Sequence, residues 1–253
     1  MENTSTGATA MKKILVTLAL TIAFVAQVGH ATMVITPASG YNITWDGNEG
    51  DHFGASAPAN LALASNGSTA FAESEFGSPH FTANLNDGLY GNNESWLRNI
   101  FVTYPGTPAE SWFGIDLPGT SLYSLSGVAW GRDNGGEGTQ HTDRWIGLYT
   151  LQFTTDASVH YGNGGTWTTI GTIEYPNSSG YAPWLRHEFA ISTSGGGPIV
   201  ATGFRVLLDN YNDGDQIIID EFELYEFTAV PEPSTVLLLL VGGAIAWRKL
   251  RRS

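Results

Sequence analysis

The chain has 253 residues, with 24 acidic and 11 basic side chains and no cysteine. Six of the basic residues lie near the two ends, so residues 32–229 hold 22 acids against five arginines, a formal charge of −17. This charge argues against nucleic acid and anionic membrane surfaces as partners, while it suits solubility and divalent cations. Without cysteine, disulfides, thiol catalysis and thiolate metal sites are all excluded.

The N-terminal 31 residues have the pattern of a secretory signal peptide. Met11-Lys12-Lys13 provides a basic start, residues 14–28 are largely apolar, and Gly29-His30-Ala31 places small residues where a signal peptidase reads. We predict cleavage after Ala31 and a true start at Met11, because that methionine opens a complete signal peptide by itself. The protein is therefore expected to be exported.

Between the two ends, the sequence predicts strands and no sustained helix. Short β-branched and aromatic runs alternate with clusters of Gly, Asn, Asp and Ser. Many short strands separated by turns are typical of a β-sandwich or jelly roll, here one domain over residues 32–229. The nine predicted strands are 41–45, 112–117, 122–130, 149–154, 158–161, 166–173, 185–191, 203–208 and 217–227.

Three connecting segments have distinct compositions. Residues 131–142 form a polar loop that is long enough to be functional, and residues 195–198, Gly-Gly-Gly-Pro, predict a flexible turn. Residues 209–215 are rich in Asp and Asn, which leaves open either a polar hairpin loop or an ion site. Their spacing lacks the distal glutamate of a helix–loop–helix calcium site, so we favour the hairpin loop.

Three pairs of segments follow one another in chain order. The first contains Ala-Asn-Leu-Asn-Asp-Gly followed by Ser-Trp, the second contains Trp-Phe-Gly-Ile-Asp-Leu, and the third ends in an acidic closing strand. In this order they resemble the galactose-binding-like jelly roll of discoidin domains and carbohydrate-binding modules, and the resemblance implies an all-β sandwich of that type. The segments are 83–88 with 95–96, 112–117 with 122–130, and 203–207 with 218–224.

The same resemblance implies a structural calcium ion that ties the Asp-Gly loop to the acidic start of the last strand. By position its carboxylate ligands would be Asp87 and Glu221, with backbone carbonyls near Asn84, Leu89 and Asp220. Calcium takes six to eight oxygen ligands, and a tight glycine-containing loop can present several carbonyls. The alternative is that Asp87 only caps a turn and that Glu221 is a solvated strand residue.

Sugar binding would require an aromatic face and planar polar groups at one end of the sandwich. We name Trp130, Arg132, His141 and Arg144 as candidate ligand-binding residues, because all four lie near turn-rich stretches. The alternative is that the tryptophans are core residues and that the arginines pair with nearby aspartates. Further candidates of the same kind are Asp133, Trp145 and Trp184.

No catalytic residues are predicted. The sequence has no Gly-x-Ser-x-Gly elbow, no phosphate-binding loop and no His-Glu-x-x-His zinc motif. Carboxylates are numerous enough for a glycosidase pair, but sequence alone does not place two of them at the required separation. We therefore expect a non-enzymatic glycan-binding or matrix-structural protein, with an extracellular carbohydrate-active enzyme as the alternative.

The C-terminal two dozen residues form three pieces in fixed order. Val230-Pro231-Glu232-Pro233-Ser234 is a rigid spacer, since proline cannot enter a helix interior or a central strand. Residues 236–247 are apolar but short for a membrane span, which needs roughly 20 residues. The chain ends in a basic stop formed by Arg248, Lys249, Arg251 and Arg252.

This tail, residues 230–253, resembles the PEP-CTERM sorting signal of Gram-negative bacteria. The resemblance implies recognition by an exosortase-type membrane protease, transient residence in the inner membrane through a short transmembrane helix, and release to the cell surface or extracellular polysaccharide. The alternative is an ordinary C-terminal membrane anchor. The short apolar run favours sorting, because a segment that is discarded needs no comfortable span.

Overall fold

The computed structural model describes residues 33–50, 60–89, 94–97, 111–131, 147–156, 165–176, 186–209 and 217–227. The predicted signal peptide, the predicted strand 158–161 and the entire C-terminal tail lie outside these residues.

Within the described residues the regular structure is almost entirely β-strand, with two short 3-10 helices at Ala64–Asn66 and Thr82–Asn86. The all-β prediction is confirmed. The strands are β1 Val34–Pro37, β2 Tyr41–Gly50, β3 Thr69–Ala72, β4 Trp96–Leu97, β5 Ser111–Asp116, β6 Tyr123–Gly131, β7 Gly147–Thr154, β8 Thr168–Tyr175, β9 Arg186–Thr193, β10 Ile199–Ala201, β11 Gly203–Asp209, β12 Ile218–Ile219 and β13 Phe222–Glu226.

Two antiparallel sheets face each other as a sandwich. The larger sheet has the order β1-β8-β7-β11-β5-β3, and the smaller has the order β10-β6-β9-β2 with β13 paired to β6. Neighbouring strands in both sheets are far apart in sequence, as in β11 between β7 and β5. These crossovers are those of a jelly roll rather than of a simple meander. A third, two-stranded sheet joins β12 to β4.

The core between the sheets is strongly aromatic. Phe113 and Phe222 meet edge to face with ring centroids 5.2 Å apart, and Trp96 lies 5.4 Å from Phe113. None of these three side chains is exposed. Inward residues alternate with outward ones along each strand, so in β13 Phe222 and Leu224 are buried in the core. Aromatic pairs of this geometry add to the burial of apolar area that stabilises a domain without disulfides.

The structure corrects the predicted strands in two ways. Residues 217–227 are not one strand, because Asp220 and Glu221 interrupt it between β12 and β13, which pair with different partners. The four strands that the sequence did not predict are β1, β3, β4 and β10, each of two to four residues. Such short runs carry too few residues for a period-two pattern to be recognised.

Side-chain contacts identify the strand ends that share each end of the sandwich. Trp130, near the end of β6, stacks on Tyr149 of β7 with ring centroids 5.7 Å apart. Tyr175, the last residue of β8, stacks on His187 of β9 at 5.5 Å. We call this end the loop pole.

The opposite end holds the other strand termini. Tyr41, which begins β2, contacts Phe153 near the end of β7, with ring centroids 6.0 Å apart. Phe227, the last described residue, donates its backbone amide to the carbonyl oxygen of Ser124 near the start of β6, at 2.7 Å. The chain therefore leaves the sandwich towards its C-terminal tail at this end, which we call the tail pole.

Candidate functional site

The Asp-Gly loop is a tight turn held by local hydrogen bonds. Asp87 Oδ1 accepts from the backbone amide of Leu89 at 2.8 Å, so this side chain does cap a turn. Gly88 has φ of +83°, a left-handed conformation that favours glycine. Just before it, buried Asn86 donates to the carbonyl oxygen of Ala62 at 2.8 Å, which ties the loop to the body of the domain.

Glu221, near the other end of the chain, binds this loop through its side chain. Its Oε2 accepts from the Gly88 amide at 2.9 Å, and its Oε1 faces the amide nitrogen of Asn60 at 3.5 Å. The side chain is 1% exposed, so the alternative of a solvated strand residue is wrong. Backbone bonds between Gly131 and Asp220–Glu221, at 2.9 and 3.1 Å, hold the interruption between β12 and β13 against the end of β6 at the loop pole.

Asp87 directly precedes Gly88, whose amide binds Glu221, so the structure brings the two carboxylates that the family resemblance implied to the same loop. Their role as calcium ligands stays a prediction. Desolvation raises the pKa of Glu221 to about 10, and repulsion from Asp87, Glu223 and Asp220 adds to the shift. Burial also raises the pKa of Asp87. The folded site therefore favours a protonated Glu221, and ionising this carboxyl would require a compensating positive charge.

A calcium ion fits this donor set. Two carboxylates and a tight loop supply hard oxygen ligands, and a divalent cation would compensate the charge that burial disfavours and the repulsion between the neighbouring carboxylates, the two causes that raise the pKa of Glu221. Within the part of the chain that the structure describes, no group of three or more His, Asp or Glu is placed to hold a metal. A cation here would therefore depend on backbone carbonyls for its remaining ligands, as predicted for those near Asn84, Leu89 and Asp220.

Sequence reasoning missed the contribution of Asn60. Its Oδ1 accepts from the backbone amides of Ala62 at 2.9 Å and Leu224 at 3.1 Å, while its amide nitrogen faces Glu221. One buried side chain therefore joins an early loop, the closing strand β13 and the acidic site. Glu221 and Leu224 lie more than 160 residues from Asn60, and no local motif signals such a contact.

An ion pair on the smaller sheet was also missed. Arg186, which begins β9, binds the fully buried Glu223 of β13 through two bonds of 2.8 and 2.6 Å, and also contacts Glu188 at 2.9 Å. The pair fixes β13 against β9 across β6. Because its carboxylate is already engaged by a guanidinium, Glu223 is not a candidate metal ligand.

The prediction that Trp130 binds a ligand is wrong. Its side chain is 3% exposed and lies between Tyr149 at 5.7 Å and Phe189 at 4.9 Å, stacked on both. Core rings therefore pack against the indole, and Trp130 belongs to the core at the loop pole. The alternative reading of this tryptophan, as a core residue, is confirmed.

The remaining candidate ligand residues lie outside the described residues, but the strands that flank them do not. Gly131 ends β6 and Gly147 begins β7, and both strand ends are at the loop pole. The described residues on either side of the segment that carries Arg132, His141 and Arg144 are therefore both at the loop pole. The segments with Trp184 and with residues 210–216 are likewise bounded by strand ends at the loop pole. Asp133 and Trp145 belong to the first of these segments.

The family model of the PEP-CTERM protein-sorting motif matches residues 229–252. The chain therefore carries this motif at its C-terminus, and the prediction made from the proline spacer, apolar run and basic stop is confirmed. The motif indicates an exported protein. No curated protein matches the chain.

Several solved carbohydrate-binding modules are similar to this domain in fold. The family 32 module of C. perfringens NanJ, solved with galactose, is 16% identical over 66% of this chain and 98% of its own, with a TM-score of 0.44. The family 32 module of Streptococcus pneumoniae EndoD is 14% identical over 67% and 100%, with a TM-score of 0.45. A chitosan-binding module from Paenibacillus sp. IK-5 is 19% identical over 66% and 98%, with a TM-score of 0.44.

Neither of the helices in the described ranges has the length and apolar character needed to cross a bilayer.

Calcium is predicted to stabilise the domain through Asp87 and Glu221. At about 100 times its Kd, the ion should raise the Tm of chelated protein by roughly 5–10 °C for a domain of this size. Asp87→Ala should abolish the increase, as measured by differential scanning calorimetry with and without calcium. Glu226→Gln, which removes an exposed carboxylate at the tail pole, is the matched control and should respond like the wild type. An undiminished response in Asp87→Ala would remove Asp87 from the site.

The stability of chelated protein is predicted to fall as pH rises. The pKa of Glu221 is about 10 in the folded state against 4.5 ordinarily, so between these values the folded state holds a proton that the unfolded state has released. The free energy of unfolding therefore decreases from about pH 5 to about pH 9. Glu221→Gln should flatten this dependence, and saturating calcium should reduce it, because the cation takes the place of the proton. Urea unfolding across that range checks both statements, and an equal slope in Glu221→Gln would contradict them.

Proposed function

We propose that the chain is an exported, non-enzymatic glycan-binding protein, which an exosortase-type protease releases to the cell surface or the extracellular polysaccharide. The PEP-CTERM motif supports the export and sorting. The predicted ligand would be a neutral or cationic glycan, because the acidic domain repels anionic polymers. A purely matrix-structural role is the second form of the same proposal.

The observation that carries this proposal is the polarity of the sandwich. The segments with the candidate polar and aromatic residues start and end at the loop pole, whereas the chain leaves towards its sorting tail at the tail pole. A protein held by its tail would therefore direct these segments away from the membrane. Such an arrangement suits a binding module that must reach polysaccharide from the cell surface.

Calcium has a structural part in this proposal. Asp87 and Glu221 would hold the ion between the Asp-Gly loop and the closing strand, close to the end of β6, from which residue 132 follows directly. When bound, the ion supplies charge compensation and rigidity but no chemistry on a ligand. The binding segments would then start from a fixed base, which lowers the entropic cost of ordering them on a glycan.

Glycan binding is predicted to depend on Arg132 and His141. If Arg132→Ala removes a charge-assisted hydrogen bond to a sugar hydroxyl, affinity for a polysaccharide retained by the wild type should fall by about 10- to 100-fold. Affinity electrophoresis against a panel of neutral polysaccharides provides the measurement. Arg205→Lys is the matched control, since Arg205 lies on the outer face of the larger sheet, over Trp167 at 4.3 Å and bonded to Gln152.

The panel also separates the possible functions. Retention by a polysaccharide without release of reducing sugar supports binding. Release of product over many turnovers would replace the proposal with the carbohydrate-active enzyme. No retention by any member of the panel would favour the matrix-structural form.

Removal of the tail is predicted to require the proline-containing spacer. Replacing Pro231, Glu232 and Pro233 with alanine should leave the tail attached, because an alanine-rich segment can extend a helix where the wild-type spacer cannot. Mass spectrometry of the protein recovered from the native host measures the outcome. An unchanged mature mass would contradict the sorting assignment, and replacing Ser178 and Ser179 with alanine controls for substitution elsewhere.

A further inference from the structure

Three exposed apolar side chains surround the start of β6 at the tail pole. Val200 of β10 pairs directly with Ser124, and Phe227 donates its amide to the carbonyl of the same serine from the opposite side. Leu122 lies two residues before Ser124. Leu122 is 58% exposed, Val200 39% and Phe227 36%. We call these three residues the apolar row.

The position of the row is set by strand pairing rather than by flexible loops. β10 and the end of β13 lie on opposite sides of β6, so Val200 and Phe227 are held across Ser124 by backbone hydrogen bonds. Neighbouring strands are about 4.8 Å apart, which makes the row roughly 10 Å wide at these two residues. Apolar groups clustered on one surface are more informative than single exposed ones.

The apolar row also lies directly before the sorting motif in the sequence. Phe227 is itself a member of the row, and the matched motif begins at residue 229. Eight residues, 228–235, separate Phe227 from the apolar run that begins at Val236. The nine Cα steps from Phe227 to Val236 can span at most about 32 Å, because a fully extended chain reaches no more than ~3.6 Å per residue. Once the apolar run is in a bilayer, the tail pole cannot be far from the lipid surface.

We infer that the apolar row rests in the interface of the bilayer that holds the tail, and that the domain is docked on lipid before the tail is removed. The lipid would be zwitterionic, because Glu226 next to Phe227 is exposed and the domain as a whole is acidic. Docking orients the spacer towards the membrane and keeps the loop pole in water. The inference rests on the membrane-held stage of the proposed function.

The absence of cysteine allows a clean test, since a single introduced thiol is the only labelling site. The chain with its tail intact is labelled at Leu122→Cys with a fluorophore that responds to polarity and is reconstituted into phosphatidylcholine vesicles. Val34→Cys is the matched control, because Val34 is also an exposed apolar residue, at 46%, but pairs with Glu174 near the end of β8 at the loop pole. We expect the label at 122 to shift to shorter wavelength and to be quenched by lipid-borne nitroxide, while the label at 34 does neither. Adding Val200→Ser and Phe227→Ser should abolish the shift at 122.

The outcomes separate this inference from the proposed function. If the protein floats with the vesicles but both labels remain equally solvated, the docking surface is refuted and the sorting assignment stands. If the protein does not float, the membrane-held stage fails and this inference fails with it. A short-wavelength emission at 122 without vesicles would mean that the row is covered by the tail or by a second copy, which also overturns docking on lipid.

Discussion

The carboxylate of Glu221 joins parts of the chain that are more than 130 residues apart, and the loop pole depends on this contact. Its oxygens face the Gly88 amide and the Asn60 side chain, while its backbone is bonded to the end of β6. Burying a carboxylate without a cation is costly, and the pKa of about 10 expresses that cost as a retained proton. A bound cation would instead let the same oxygens remain ionised. We propose that calcium, when bound, would replace this proton, which would link the stability of the pole to both pH and calcium.

The second organising feature is the separation of the two poles by the length of the strands. The strand ends that flank the segments with the polar and aromatic candidates lie at the same pole as this acidic site, whereas Phe227, two residues before the sorting motif in sequence, lies at the other pole. Because the strands between the poles are hydrogen-bonded into two sheets around one aromatic core, the poles cannot move independently. The proposed attachment and the proposed recognition would thus lie at opposite ends of one sandwich.

The fold class, the sorting tail and part of the acidic site could be predicted from the sequence. The features that could not be predicted have physical reasons. The tail and the fold class were predictable because proline, glycine and charge act locally. The meeting of Asp87 with Glu221 was predictable only through a family resemblance, since no local pattern links residues 134 positions apart. Trp130 was misassigned because position beside a polar loop does not reveal which way a side chain points; Tyr149 and Phe189 cover it. Asn60 and the Arg186–Glu223 pair depend on long-range packing that spacing does not encode.

Glu221, which joins the Asp-Gly loop to the closing strand β13, is expected to hold a proton when it holds no cation. Carbon-13 NMR of the side-chain carboxyl of Glu221 tests it directly, by following the chemical shift with pH in chelated protein and again with calcium. We expect the titration midpoint of Glu221 to lie far above pH 4.5 in chelated protein, and its carboxylate to be ionised at neutral pH once calcium is added. A midpoint near 4.5 that calcium leaves unchanged would contradict it.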